Sequence, residues 1–321
     1  MNARRPGASD RSRPRPGSPP VVIPAHGRGL RMRQLTSGTP KTLLEVAGEP
    51  MLARLLRAAA VCGRLAVVYT RALDEAVPAF LANGLAVVSA GGEAGRCAAA
   101  EAGRWTAAAG AGPAGPPGTM AELRRREPHG YLTDMLAIAA ELGDELTVLD
   151  SDMVVPHAEL CSFLAGTLAD NGAAFLVGQA AEPPSSDPRS IRVTMDPHGV
   201  RRLAPGNANR LPRTVGAYHW RPRAVRAARE FVADGPRSFH EFMAHLMDLA
   251  LPTETFTFSA GLNVNTPSDR DLAEEHVRAW TRANPAEYPA PSQAEVQDRA
   301  SPAGYRTRNQ AETGHSRAAE T

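Results

Sequence analysis

The sequence has almost no lysine. Of its 36 basic residues 35 are arginine, and Lys41 is the exception. A guanidinium does not reproduce the compact point charge of an ammonium on phosphate, so a lysine kept against that bias marks a site that needs one. Cysteine is scarce too: Cys62, Cys97 and Cys161 are widely spaced and odd in number. That pattern excludes a disulfide framework and a cysteine metal site, and it predicts a cytoplasmic location. No run of eighteen or more apolar residues occurs, which argues against a membrane-spanning helix. Basic charge is missing from the body of the chain. Residues 1–20 hold five arginines against Asp10 and contribute +4 to a net charge of +2, so the remainder carries −2. The electrostatic footprint of a nucleic-acid-binding protein is therefore absent.

What is present suffices for a large core. The chain has 321 residues, 43% of them hydrophobic, enough for one large α/β domain or two ordinary ones. Residues 1–20, rich in Arg, Pro, Gly and Ser, read as a disordered basic tail, and so does the polar stretch 283–321. Between them, residues 21–282 alternate short apolar runs with helical spacing. Val21–Pro24, Leu65–Tyr69, Leu85–Val88, Leu146–Leu149, Ala173–Val177, Ile191–Met195, Val215–Trp220 and Thr255–Phe258 are predicted strands. Helices are predicted from Met51, over Asp74–Leu81, Tyr131–Leu142, Arg223–Val232 and Phe239–Leu249, and from about Ser268. Asp196-Pro197-His198-Gly199 reads as a hairpin turn. Residues 91–120 break the alternation and include Ala107–Gly118, made only of Ala, Gly and Pro, which predicts a flexible surface insertion. The pattern as a whole predicts a three-layer α/β/α sandwich around a mainly parallel, mixed sheet.

Three motifs carry chemistry. The first follows the first strand: Ala25-His26-Gly27-Arg28-Gly29-Leu30-Arg31, then Leu35-Thr36 and Pro40-Lys41. Its glycines let the backbone approach a phosphate with N–H groups turned towards it, and Arg31 and Lys41 add two cations for a triphosphate. Position 32 is Met, so this is not the dinucleotide fingerprint, and no Gly-Lys-Ser/Thr closes it as in a Walker A loop. The second is Asp150-Ser151-Asp152 at the end of a buried strand, where α/β folds place ligands and where Mg²⁺ finds carboxylate oxygens. The third is Leu262-Asn263-Val264-Asn265-Thr266-Pro267-Ser268-Asp269, opening a helix.

Together these strings resemble the sugar-phosphate nucleotidyltransferase family. Its members open with a strand, Ala-Ala-Gly-x-Gly-Thr/Ser-Arg, then Leu-Thr and Pro-Lys. The likeness continues through Leu43-Leu44-Glu45-Val46-Ala47-Gly48-Glu49-Pro50-Met51-Leu52. The resemblance implies that Ala25, Gly27 and Gly29 hold an NTP and that Arg31 grips its phosphates. It implies that Lys41 neutralises charge at the reacting phosphoryl group, and that Asp152 and the residue at 265 bind Mg²⁺. Gly130, in Gly130-Tyr131-Leu132-Thr133-Asp134, corresponds to a segment that touches the base, and Val215-Gly216-Ala217-Tyr218 resembles a strand near the sugar. Four positions depart from the pattern: His26 for alanine, Leu30 for a hydroxyl residue, Ser151 for glycine, and Asn265 for aspartate. Asn-x-Asn-Thr-Pro is common in the molybdopterin guanylyltransferase-like branch. The implied activity is transfer of an NMP from an NTP to a phosphorylated small molecule, a sugar 1-phosphate first among them, with no nucleic acid or membrane partner and assembly into oligomers left open. Three other readings remain: a molybdopterin-type guanylyltransferase, a glycosyltransferase using Asp150-Ser151-Asp152 on a similar fold, and a degenerate nucleotide-sensing domain.

Overall fold

Three consecutive β-favouring apolar residues, Val21, Val22 and Ile23, have no surface exposed, and they form the first strand, β1 (Val21–Pro24). A strand buried on both faces belongs in the middle of a sheet, and β1 lies there. The computed structural model describes residues 18–26, 32, 39–84, 87–88, 103–107, 120–169, 172–180, 192–195, 201–204, 213–235 and 237–284. Residues 1–278 form one unit, and the last turns of the final helix belong to a second that begins at Ala279.

After a short 3-10 turn at Lys41–Leu43, β2 (Glu45–Val46) and β3 (Glu49–Pro50) make a small antiparallel pair. Helix α1 (Met51–Val61) follows and buries Leu52, Leu55, Leu56 and Ala59, the face its periodicity marks out. Strand β4 (Ala66–Thr70) pairs parallel with β1. Then come α2 (Ala76–Gly84), β5 (Val87–Val88), β6 (Gly103–Ala107) and β7 (Met120–Arg125). Helix α3 (Tyr131–Leu142) leads to β8 (Leu146–Leu149), parallel to β1 on its other side. The chain continues through β9 (Met153–Val154), α4 (His157–Gly166), β10 (Phe175–Ala180), β11 (Arg192–Met195), β12 (Arg201–Ala204) and β13 (Arg213–Trp220). It ends with α5 (Pro222–Phe231), α6 (Phe239–Asp248), β14 (Thr253–Phe258), β15 (Leu262–Asn263) and α7 (Pro267–Ala283).

Among the described residues the main sheet has eleven strands in the order β12-β11-β13-β8-β1-β4-β7-β6-β5, with β10 branching from β13 and β14 pairing with β10. Its centre, β8-β1-β4-β7, is parallel, and antiparallel strands flank it. Alternate residues of β1 face two cores. Val21 and Ile23 pack with α1, α2 and α4 through Leu52, Leu55, Val77 and Phe163. Val22 packs with α3, α5 and α6 through Met135, Ile138, Val225 and Phe242. This is the predicted three-layer sandwich. Each fully buried Val or Ile of β1 contributes about 1.5–3 kcal/mol, so a charge at Val22 would break both the strand and the layer behind it.

The structure adds elements that the sequence pattern did not predict: α4, the short strands β2, β3, β9 and β15, and two strands in and beside the expected insertion. Inside the stretch read as an insertion, Gly103–Ala107 is a strand, and Met120–Arg125, where no strand was expected, is the parallel neighbour of β4. The charges of β7 hid it: Glu122 is buried, with Arg124 Nη2 2.7 Å from its carboxylate. β11 and β12 pair antiparallel on either side of Asp196–Gly199, the predicted turn, which itself lies outside the described residues.

Candidate active site

The parallel strands all deliver their C-terminal ends to one edge of the sheet. β1 ends at Ala25, whose N–H donates to the carbonyl of Tyr69 at the end of β4 over 2.7 Å. β8 ends at Asp150, whose N–H donates 2.7 Å to the carbonyl of Gly216 in β13. Of the residues expected in the nucleotide site, Gly27, Gly29 and Arg31 lie outside the described residues. Ala25, Lys41, Gly130, Asp152 and Asn265 are described.

Three of them meet. Lys41 Nζ donates to Asp152 Oδ2 over 2.5 Å and to Asn265 Oδ1 over 2.8 Å. These residues lie 111 and 224 positions from Lys41 in sequence, so only the fold brings them together. The side chains of Lys41 and Asp152 keep 12% and 21% of their surface exposed, which leaves the cluster open to a ligand. Pro40 opens the turn that presents Lys41. Asp152 follows β8 in a tight turn closed by Met153 N–H on the Asp150 carbonyl, 3.1 Å. Asn265 is fixed from two sides. Strand β15 pairs with β9, and Val264 N–H donates 2.9 Å to the Asp152 carbonyl. Asp269 Oδ2 then accepts from the N–H groups of Asn265 (2.9 Å) and Thr266 (2.8 Å), while Thr266 Oγ1 accepts from Asp269 N–H (3.2 Å). This reciprocal cap starts α7 and holds the Asn265 main chain in place.

Gly130 stands before the first residue of α3 with φ of +136°, a conformation that favours glycine. Asp134 in the first turn accepts from the His129 and Gly130 N–H groups, 3.1 and 3.4 Å. Among the described residues the structure shows no contact between Gly130 and the Lys41 cluster. His26, at the position where the resemblance has alanine, is buried, and burial lowers its pKa against the opposing pull of Asp134. A neutral imidazole therefore borders the end of β1.

Three residues, Tyr131, Asp150 and Gly216, come from three separate strings of the sequence that no motif joins. Tyr131 OH donates to Asp150 Oδ1 over 2.8 Å. Asp150 retains partial exposure, yet so much protein surrounds its carboxyl that burial is the main influence raising its pKa, with the Asp152 charge adding to it. The phenol of Tyr131 is raised well above its ordinary value for the same first reason, burial, followed by the Asp150 charge. Gly216 makes room for Asp150: with φ of +77°, a Cβ there would lie 2.6 Å from Asp150 Cβ. The only signal in the sequence was the aspartate at an apolar strand's end, since the partners lie in distant segments.

The sequence matches no family model and no curated protein sequence. Solved structures do match. A structure described as a glucose-1-phosphate thymidylyltransferase from Bacillus anthracis is 14% identical, covers 81% of this chain and 95% of its own, and superposes with a TM-score of 0.61. The inositol-1-phosphate CTP transferase from T. maritima is 12% identical over 81% of this chain and 96% of its own, with a TM-score of 0.57. The chain has a nucleotidyltransferase fold. HddC from Yersinia pseudotuberculosis, 14% identical over 80% of this chain and 98% of its own, shares that fold with a TM-score of 0.53. Among the described residues no helix is long and apolar enough to cross a membrane.

Proposed function

We propose that the protein is a nucleotidyltransferase that moves an NMP from an NTP to a phosphorylated small molecule, a sugar 1-phosphate being the acceptor class the motifs favour. One observation carries the reading: the sole lysine of the chain meets the strand-end Asp152 and the helix-opening Asn265 at the carboxyl edge of a parallel sheet. In open α/β sheets that edge is where ligands bind. The neighbours' printed activities, transfer of cytidylyl or thymidylyl groups to a phosphate ester, support the same chemistry.

The reaction needs no protein nucleophile. An oxygen of the acceptor phosphate attacks the α-phosphorus, the bond to the bridging oxygen breaks, and pyrophosphate leaves with that electron pair. Such a displacement is accelerated by holding the two phosphates in line and by placing fixed positive charge where negative charge accumulates. Lys41 supplies that charge, and Arg31 adds a second cation from the glycine turn. Asp152 and Asn265 fit Mg²⁺, because two hard oxygens already converge on one cation, the Lys41 ammonium, and this ion accepts one or two protein oxygens beside those of phosphate. Bound there it would add a divalent charge to the phosphate oxygens. An amide at 265 leaves that charge less neutralised by protein than a second carboxylate would.

The test is to mix the purified protein with each NTP, Mg²⁺ and a panel of sugar 1-phosphates and to measure pyrophosphate. Release with one NTP and acceptor, together with the matching NDP-sugar, is expected. Three results would overturn the reading: sugar transfer from an NDP-sugar, nucleotide binding without turnover, or silence from every combination.

A further inference from the structure

We propose that Tyr131, Asp150 and Gly216 form a positioning unit that sets the Asp152 turn and the Asn265 segment around Lys41, an inference that rests on the nucleotidyltransferase reading. The unit joins three distant parts of the chain. Asp150 is gripped through its main chain by Gly216 O (2.7 Å) and by Met153 N–H on its carbonyl (3.1 Å). Its side chain is gripped by Tyr131 OH (2.8 Å) and by the Gly216 surface, where any Cβ would also come within 2.7 Å of Oδ2.

Two lines lead from that grip to the Lys41 cluster. One is the turn Asp150–Met153, which carries Asp152. The other is β9, which starts at Met153 and pairs with Asn263, two residues before Asn265. A shift of Asp150 would therefore move both oxygens that Lys41 holds. At its far end the unit reaches Tyr131, the first residue of α3 and the neighbour of Gly130.

Fold stability does not account for this arrangement. Aromatic rings pack at the Tyr131 end of this bond: Tyr131 and Phe239 lie 4.8 Å apart between centroids, Tyr218 and Phe239 5.0 Å. An aliphatic residue would suit such surroundings, whereas a desolvated carboxyl is unfavourable there. β13 also takes a positive-φ glycine at 216, where its register with β10 shifts, and so leaves room for it. Stability given up beside a cluster of ligand-facing groups is characteristic of a functional site.

The experiment is steady-state pyrophosphate release by wild type, Tyr131→Phe, Asp150→Ala, Asp150→Asn and the Tyr131→Phe/Asp150→Ala double variant, each checked by thermal melting. Tyr131→Phe and Asp150→Ala should each lower kcat about tenfold while the KM for NTP stays within about twofold. Asp150→Asn should recover kcat to within about threefold of wild type, since an amide oxygen still accepts from the phenol. The double variant should be no slower than the worse single one, because both changes cut the same link. If Asp150→Ala does not fold, Tyr131→Phe, which removes one oxygen and almost no volume, carries the test alone. The proposal is overturned if Asp150→Asn falls as far as Asp150→Ala, if the two single losses multiply, or if Tyr131→Phe turns over like wild type. A wild type without any pyrophosphate release removes the functional reading and this unit with it. An active wild type with the wrong mutant pattern removes the unit alone.

Discussion

Two cations in this molecule, one buried and one partly exposed, are held in opposite ways. Arg64 is 1% exposed and donates only to neutral oxygens: Pro19 O through Nε (2.8 Å) and Nη2, Leu164 O (3.2 Å) and Thr167 Oγ1 (2.9 Å) through Nη1, and Thr147 Oγ1 (3.0 Å) through Nη2. Lys41 donates to a carboxylate and a side-chain amide and stays partly exposed. Main-chain carbonyls cannot move without moving the fold, so the planar fork of Arg64 is a rivet between the start of β1, β8 and α4. Side-chain oxygens can exchange one cation for another, so the ammonium of Lys41 sits among partners that a ligand can take over. Burial lowers the Arg64 pKa only to about 10, which leaves it charged at neutral pH. The two sites show that burial of a cation does not by itself signal function. The kind of acceptor does.

This contrast can be broken by substitution. The largest effect should come from Lys41→Arg, which keeps the charge but changes its shape, hydration and position. Turnover should fall by a factor of about a hundred or more, about 3 kcal/mol of transition-state stabilisation, with an unchanged melting temperature. A near-wild-type rate in both Lys41→Arg and Lys41→Ala would show that Lys41 is a tether and no more. Arg64→Met should do the reverse. It strands several buried oxygens and should lower unfolding free energy by about 3 kcal/mol in urea titration, with turnover per folded molecule intact. A smaller expected effect is that of Asn265→Asp, which gives the cluster a second carboxylate. Half-maximal turnover should then be reached at a Mg²⁺ concentration about fivefold lower or less, measured by metal titration at saturating NTP.

The last effect concerns pH. His219 is buried, with its Nδ1 3.1 Å from Thr147 Oγ1, and burial, then Arg221 and Arg64, lower its pKa from 6.5 to about 3. Glu145 Oε1 lies 3.4 Å from Nε2 without hydrogen-bond geometry and does not reverse this. The folded state thus binds this proton less well than the unfolded chain does. The stability it contributes is complete above pH 6.5 and is lost progressively as pH falls towards about 3. Melting temperature should decline from pH 6.5 to 4.5, and His219→Gln should flatten that decline.

Much of this was legible in the sequence, and the remainder has identifiable reasons. β1, β8 and α1 were readable because apolar runs and helical spacing report burial directly. Lys41 and Asp152 were readable because a lone lysine in an arginine-rich chain and a carboxylate after a buried strand are both unusual. β7 was not, because Glu122 and Arg124 neutralise each other across the strand in a way that looks like a solvated charge run. Arg64 was equally hidden, since its acceptors are carbonyls and hydroxyls that leave no pattern. The Tyr131–Asp150 bond escaped because neither residue predicts the other, and Gly216, in a string resembling a strand near the sugar, gave no sign of its close approach to Asp150. Pairwise contacts between distant segments become visible only once the sheet order is known.

The pairing of β15 with β9 also has a consequence in time. In chain order the parallel centre of the sheet, β1, β4, β7 and β8, is present by Leu149, whereas α4, α5 and α6, which cover its two faces, come later. Asn265 emerges more than a hundred residues later, and only then can Lys41 and Asp152 gain their third partner. A growing polypeptide therefore has the parallel strands long before it can bring Lys41, Asp152 and Asn265 together. A chain cut short before β15 would hold those strands without that cluster.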